Sequence, residues 1–208
     1  PPPRPYRFRV EYMNRWFYTQ LWRIAPPLIR HYLKKRAAKS PAYLYHWGER
    51  FGEPFDQPVQ RPIWVHAVSV GETRAAQPLV EALRRHFPDA PLLMTQMTPT
   101  GRAAAKELFP DAQCRYLPYD KPEWVAQFLK EHRPLCGVLM ETEIWPNLMH
   151  ACADAHVPLF LANARLSEKS QRGYLKIRNL FEPALQTLSG CFAQTAEDAE
   201  RLHLIGAS

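Results

Sequence analysis

Acidic side chains are almost absent from the first 50 residues, which contain 11 lysines and arginines but only Glu11 and Glu49, a net charge of +9. The remaining 158 residues carry 16 basic and 18 acidic side chains, so the overall charge of +7 comes from the N-terminal segment. This distribution favours contact between that segment and an anionic surface, either phospholipid or nucleic acid. Because the rest of the chain is net acidic, nucleic-acid binding is the less favoured of the two.

Motifs for metals, disulfides and common nucleotide cofactors are also missing. The four cysteines show no C-x-x-C spacing and the eight histidines form no H-x-x-x-H pair. We therefore expect no metal site and no disulfide framework, which fits a reducing compartment. No G-x-G-x-x-G follows the first predicted strand and no Walker loop is present, so we expect no nicotinamide, flavin or other cofactor.

Long apolar runs are missing too, although residues 13–40 are rich in aromatic side chains. A helix that spans a membrane needs about 18 nearly uninterrupted apolar residues. Arg23 and the Pro26-Pro27 pair interrupt this segment before it reaches that length. It is predicted to be either a membrane-interfacial helical segment or a helix packed on the protein's own core. The residues predicted to contact a membrane are Trp16, Phe17, Trp22, Arg23, Arg30, Lys34 and Lys35. Residues 1–12, rich in proline and arginine, are predicted to be an extended or disordered leader.

From Ile63 onward, six short apolar segments alternate with segments of helical periodicity. Strands alternating with helices of this length indicate right-handed crossovers and a parallel sheet covered on both faces. The sequence therefore predicts an α/β, Rossmann-like domain over residues 41–208, with about six strands.

Ligands of such folds bind beyond the carboxyl ends of the strands. The polar segments that follow the predicted strands include SVGETR, TPTGR, METEIWPN and NARLSE. They supply the candidate substrate-binding residues Ser69, Gly71, Thr98, Thr100, Gly101, Asn163 and Arg165.

Three glutamates stand out in these segments. Glu72 lies near a predicted helix N-terminus, where it either complements the helix dipole or serves a reaction. Glu141 and Glu143 precede a helix that Pro146 can begin. Alternation along an extended chain would place both on one side, and two such close charges tend to raise one pKa. Arg165 is predicted either to bind an anionic ligand or to pair with one of these acids.

The segments HAVSVGE, TPTG, YLPYD, METEIWPN and NARLS, in this order, resemble the N-terminal domain of the Kdo transferases. Those enzymes add 3-deoxy-D-manno-octulosonic acid (Kdo) to the lipid A precursor of Gram-negative bacteria. The resemblance extends from about Met13 to Ser208 and includes PAYLYHWGERFG, the lead-in to the first strand.

The resemblance implies the N-terminal half of an inverting GT-B glycosyltransferase that receives the lipid acceptor, while a C-terminal domain binds the donor CMP-Kdo. It implies that Glu72 is the general base and that Glu141 acts in the transition state, without a metal. The implied partners are lipid IVA and the anionic cytoplasmic face of the bacterial inner membrane. Because the family continues past the position of Ser208, we expect a truncated form that is inactive alone. Two alternatives remain, an acceptor-side domain of another GT-B sugar-nucleotide enzyme and a non-catalytic interaction module.

Overall fold

The computed structural model describes residues 14–208, which form an α/β fold around a six-stranded sheet. The predicted leader, residues 1–12, lies outside the described residues. The strands are β1 (Ile63–His66), β2 (Leu92–Gln96), β3 (Gln113–Tyr116), β4 (Cys136–Met140), β5 (Leu159–Ala164) and β6 (Gly190–Ala193). The helices are α1 (Arg15–Ala37), α2 (Trp47–Arg50), α3 (Val70–Ala75), α4 (Gln77–His86), α5 (Pro99–Leu108), α6 (Pro122–His132), α7 (Pro146–Asp154), α8 (Glu168–Lys176), α9 (Arg178–Leu185) and α10 (Ala196–Ile205). A 3₁₀ turn, Pro41–Leu44, follows α1.

The sheet is parallel throughout, with the order β3-β2-β1-β4-β5-β6. The chain winds outward from β1 to β3 and then returns to the other side of β1 with β4. This reversal creates a switch point between the carboxyl ends of β1 and β4, where folds of this kind bind ligands. The predicted Rossmann-like sheet is confirmed.

Both faces of the sheet are covered, because successive side chains of a strand point to opposite sides. Trp64 belongs to a core that includes Phe128 of α6 and Leu148 of α7. Val65, the next residue of β1, belongs to a second core with Val80 of α4 on the other face. All five side chains are almost fully buried, and the two cores fix the sheet on which the loops are mounted.

The first strand and the helical segment after it differ from their sequence patterns. The first apolar segment, IWVHAVSV, extends over residues 63–70 and predicts a strand of that length, but β1 ends at His66 and α3 begins at Val70. Ser69 caps α3 by accepting a hydrogen bond from the Glu72 N–H, so the chain leaves the sheet sooner than hydrophobicity alone suggests. The following helical pattern divides into α3 and α4, where Pro78 stands in the first turn of α4.

Helix α1 runs without a break through Pro26 and Pro27. A proline inside a helix removes a backbone hydrogen bond and costs about 3 kcal/mol, so contacts on both sides must offset it. Before the prolines, Trp22 stacks on Tyr119 with ring centroids 6.1 Å apart. After them, the Arg30 guanidinium lies 4.7 Å from the centroid of the Phe51 ring. Within residues 14–208, no helix combines the length and the apolar character needed to cross a bilayer.

Candidate active site

The switch point brings together the two acidic segments that the sequence separates by about 70 residues. β1 pairs with β4 in parallel register, so Glu72, soon after β1, and Glu141, directly after β4, emerge at the same edge. Their charges interact, because the carboxylate of Glu141 contributes to raising the pKa of Glu72. The structure therefore does not place Glu72 on the opposite side of the sheet from Glu141, an arrangement that would exclude a joint role for the two carboxylates.

Glu72 occupies the first turn of α3 and is half-buried. Its carboxylate accepts hydrogen bonds from the Val68 N–H at 2.7 Å and from the Ser69 hydroxyl at 3.2 Å. Burial raises the pKa of Glu72 above its ordinary value, and the Glu141 charge adds to this, whereas the two hydrogen bonds and the Arg165 charge lower it. Glu72 therefore stabilises the helix start and also faces charged groups from other strands.

Glu141 is held by an arginine from the next strand. Arg165 Nη2 donates to both carboxylate oxygens of Glu141 at 3.1 Å. The predicted pairing of Arg165 with an acid is confirmed, and its binding of an anionic ligand stays a prediction. The Thr142 hydroxyl connects the loop after β4 to the loop after β5. It accepts a hydrogen bond from the Arg165 N–H at 3.0 Å and donates one to the Arg165 carbonyl.

The predicted extended alternation of Glu141, Thr142 and Glu143 is wrong. Glu141 adopts a left-handed backbone with φ of 59°, and no strand continues beyond Met140. The side chain of Thr142 is engaged with the β5 loop, so the local backbone follows that pairing instead of strand periodicity.

Glu143 is a third carboxylate of the cluster, and the sequence assigned it no role. It is more deeply buried than Glu72, and its carboxylate accepts a hydrogen bond from Trp145 Nε1 at 2.7 Å. Burial raises the pKa of Glu143, and the charges of Glu72 and Glu141 raise it further. Behind it, the Trp145 ring packs edge-on against buried His66 with centroids 5.7 Å apart. In the sequence, Glu143 and Trp145 are marked by the METEIWPN segment, which resembles a motif of the Kdo transferases.

The remaining predicted binding residues follow the strands at the same edge of the sheet, and their local environments differ. Thr98 caps α5 by accepting from the Gly101 N–H at 3.0 Å, and its hydroxyl also contacts the Val68 carbonyl. A Cβ on Gly101 would lie 3.0 Å from that carbonyl, so glycine permits α5 to pack against the turn before α3. Thr100 and Gly71 are exposed, and Asn163 adopts φ of 54° at an irregularity in the pairing of β5 with β6.

A buried junction that the sequence did not reveal joins α1 to this edge. Asp120, only 3% exposed, accepts hydrogen bonds from the backbone N–H groups of Asn147 and Leu148 at the start of α7. It also accepts from the Tyr18 hydroxyl of α1 at 2.9 Å. Arg15 and Thr19 of α1 donate to the Asn147 side-chain oxygen. The end of the METEIWPN motif therefore holds α1, while its beginning carries the carboxylates.

Helix α1 has a buried face and an exposed face, and the contact of the exposed face with a membrane stays a prediction. Pro26, Leu33 and Ala37 are buried against the body, as the packed-helix interpretation requires. Trp22 and Arg30, predicted to contact a membrane, also contact Tyr119 and Phe51 of the body, and Arg30 is exposed at the same time. The opposite face exposes Trp16, Phe17, Leu21, Ile24, Leu28 and Tyr32, and Arg23, Lys34 and Lys35 are exposed as well.

In the described part of the chain, no group of three or more His, Cys, Asp or Glu side chains is arranged to hold a metal ion. Within the carboxylate cluster, Glu141 is paired with Arg165 and Glu143 with Trp145. What the arrangement offers is a carboxylate of raised pKa beside a second carboxylate fixed by an arginine.

Comparison with known proteins identifies relatives over most of the chain. A 3-deoxy-D-manno-octulosonic acid transferase from Bordetella pertussis is 41% identical over 206 residues, covering 94% of this chain and 48% of the relative. The transferase of the same name from Haemophilus influenzae is 36% identical, covering 93% and 46%. A probable mitochondrial one from Arabidopsis thaliana is 36% identical over 69% of this chain.

The chain thus spans about half the length of these two relatives. Among solved structures, UDP-GlcNAc 2-epimerase from Neisseria meningitidis aligns with 68% of this chain and 43% of its own, with a TM-score of 0.49 and 11% identity. The family model described as 3-deoxy-D-manno-octulosonic-acid transferase (kdotransferase) matches residues 45–208. The chain belongs to the Kdo transferase family and corresponds to its N-terminal domain.

Proposed function

We propose that this chain is the acceptor-binding half of an inverting glycosyltransferase that moves Kdo from CMP-Kdo to a lipid A precursor such as lipid IVA. The observation that carries the proposal is the convergence of Glu72 and Glu141 at the switch point between β1 and β4. Residues 41–208 form the acceptor domain in this proposal, and the donor is assigned to a second domain of the GT-B architecture. No cofactor takes part in the proposed reaction.

Glu72 is the proposed general base. As the acceptor hydroxyl attacks the anomeric carbon of Kdo, its proton passes to the Glu72 carboxylate, a C–O bond forms and the bond to CMP breaks. A base is most effective when its pKa approaches the working pH, and burial moves the pKa of Glu72 in that direction. The hydrogen bonds from Val68 and Ser69 orient the carboxylate before the acceptor arrives.

Glu141 is the proposed stabiliser of the transition state. Positive charge develops at the anomeric carbon as CMP departs, and a preorganised carboxylate nearby stabilises it. Arg165 fixes that carboxylate through both oxygens, so little reorganisation is needed during the reaction. Ser69, Gly71, Thr98, Thr100, Gly101, Asn163 and Arg165 remain candidates for contacts to the acceptor.

We place the enzyme on the cytoplasmic face of the bacterial inner membrane, with residues 13–40 as its interfacial segment. The support is the exposed apolar face of α1, on which Ile24 is 65% and Leu28 70% exposed, and the net charge of +9 over the first 50 residues. Such a helix lies in the membrane plane with its apolar face at the acyl boundary. The Tyr18–Asp120 contact ties this helix to the edge that carries the carboxylates, where a lipid-linked acceptor would need to arrive.

The proposal is tested with the full-length protein, supplied with lipid IVA in detergent micelles and either CMP-Kdo or UDP-GlcNAc. Mass spectrometry is expected to show addition of Kdo with the first donor and no sugar transfer with the second. Transfer from UDP-GlcNAc alone would favour a different GT-B enzyme, and absence of transfer from both would favour a non-catalytic module. Glu81→Gln, an exposed change on α4, serves as the active control.

A further inference from the structure

Helix α1 carries a single exposed stripe whose chemistry changes along its length. Phe17, Leu21, Ile24, Leu28 and Tyr32 follow one another at spacings of three and four residues and therefore lie on one face. Lys35 continues the same spacing three residues after Tyr32. The stripe is thus apolar for four turns and cationic at its C-terminal end.

At that end lies a surface hollow of about 450 Å³, here named the cationic hollow. It is lined by Tyr32, Lys35, Arg36, Lys39, Ser40 and Tyr43. The lining therefore combines three cations with three hydroxyl groups and includes no carboxylate. Ammonium, guanidinium and hydroxyl donors that converge on one space are the groups that bind phosphate in proteins.

The guanidinium of Arg36 is positioned before any ligand binds. Its Nη1 donates to the Tyr32 hydroxyl at 2.8 Å, and its centre lies 4.6 Å from the centroid of the Tyr43 ring. These contacts restrict the flexible side chain, so less conformational entropy is lost when its remaining donors meet an anion.

Basic residues in the last turn of a helix also neutralise its dipole, and Lys34, Lys35 and Arg36 occupy the last turn of α1. The dipole does not account for the whole arrangement, because Lys39 and Ser40 lie beyond the helix end. Nor does it require three hydroxyl groups to share the same space with the cations. Binding of an anion explains why these groups converge.

We infer that the cationic hollow binds the phosphate of an anionic phospholipid when the stripe of α1 lies on the membrane. This inference rests on the membrane contact proposed above and adds a site to it. With the apolar residues at the acyl boundary, Lys35 and its neighbours reach the level of the headgroup phosphates. The hollow thus selects anionic lipid, whereas the apolar stripe alone binds neutral and anionic bilayers alike.

Vesicle co-sedimentation of the full-length protein tests the inference, with phosphatidylcholine vesicles and with vesicles of phosphatidylcholine and phosphatidylglycerol. Lys35→Ala/Lys39→Ala is expected to weaken binding to the anionic vesicles roughly thirtyfold, since each basic residue near such a surface contributes about five- to sixfold. The matched control Lys130→Ala/Lys176→Ala removes the same charge from exposed positions on α6 and α8 and is expected to change binding less than about twofold.

A variant that keeps the charge distinguishes a specific phosphate site from general electrostatic attraction to the anionic surface. Arg36→Lys keeps the charge but loses the planar fork, and binding to anionic vesicles is expected to fall about fivefold. Unchanged binding in Arg36→Lys, or equal losses in the two double variants, would overturn the inference while leaving the membrane contact in place. Failure of the unmodified protein to bind any vesicle would instead remove the membrane contact itself. Binding of inorganic phosphate to the protein at millimolar concentration or below, measured without vesicles and lost in Lys35→Ala/Lys39→Ala, would identify free phosphate as the ligand and would count against the lipid site.

Discussion

The hydroxyl of Tyr18 and the carboxylate of Asp120 lie 2.9 Å apart, joining α1 to the start of α7 through a side chain that is almost fully buried. Asp120 also accepts hydrogen bonds from two backbone N–H groups of α7. One aspartate thus caps a helix that follows the carboxylate loop and holds the helix that we place on the membrane.

Removal of the Tyr18 hydroxyl should loosen α1 more than the rest of the fold. Tyr18→Phe is expected to lower the free energy of unfolding by about 1–2 kcal/mol, because a buried hydrogen bond is lost and Asp120 loses one of its partners. Hydrogen exchange should accelerate in residues 15–25 and remain unchanged in the sheet. Tyr45→Phe, at an exposed ring, is the control. Equal exchange in α1 for both variants would show that the contact does not hold the helix.

Loss of the proposed base should remove chemistry without removing membrane attachment. Glu72→Gln in the full-length protein is expected to reduce kcat about 10²–10⁴-fold. The amide oxygen can still accept from the Val68 N–H, so the turn before α3 should survive. Thermal unfolding and vesicle binding are measured on the same preparation. Transfer within tenfold of the unmodified enzyme would refute the assignment of Glu72.

The acid limb of the pH profile should report the pKa of Glu72 and respond to its neighbours in opposite directions. Since the base must be ionised, kcat/KM falls as the pH drops through that pKa, which burial holds above the ordinary value of 4.5. Arg165→Ala removes a positive charge and should move the limb to higher pH. Glu141→Gln removes a negative charge and should move it to lower pH, although the plateau rate also falls. Shifts of the same sign in both variants would exclude Glu72 as the titrating group.

The two glycines Gly101 and Gly173 should respond oppositely to alanine. At Gly101 a Cβ would meet backbone atoms of Val68 and Ser69 at 3.0 and 3.2 Å, so Gly101→Ala should destabilise the fold by about 1–3 kcal/mol. It should also lower transfer, because the displaced turn carries Glu72. At Gly173, inside α8, a Cβ would meet nothing within 4 Å, and Gly173→Ala should stabilise the fold by up to about 1 kcal/mol. Denaturant unfolding of both variants provides the test.

The sequence by itself determined the class of fold and the edge on which the carboxylates lie. Alternating apolar and helical periods specify strands and crossovers, and a parallel sheet brings all the carboxyl ends of its strands to one side. Glu72, Glu141 and Arg165 could therefore be predicted at one edge.

Only the tertiary structure decided which strands are neighbours and which groups meet. Periodicity states that β1 and β4 are buried but not that they are adjacent, and that adjacency joins Glu72 to Glu141. The left-handed backbone of Glu141 and the Asp120 junction depend on partners 20 to 100 residues away. The path of α1 through Pro26 and Pro27 has the same origin, since local propensity ends a helix there and contacts of Trp22 and Arg30 with the body oppose that preference. Local rules give the elements, whereas long-range packing selects their contacts.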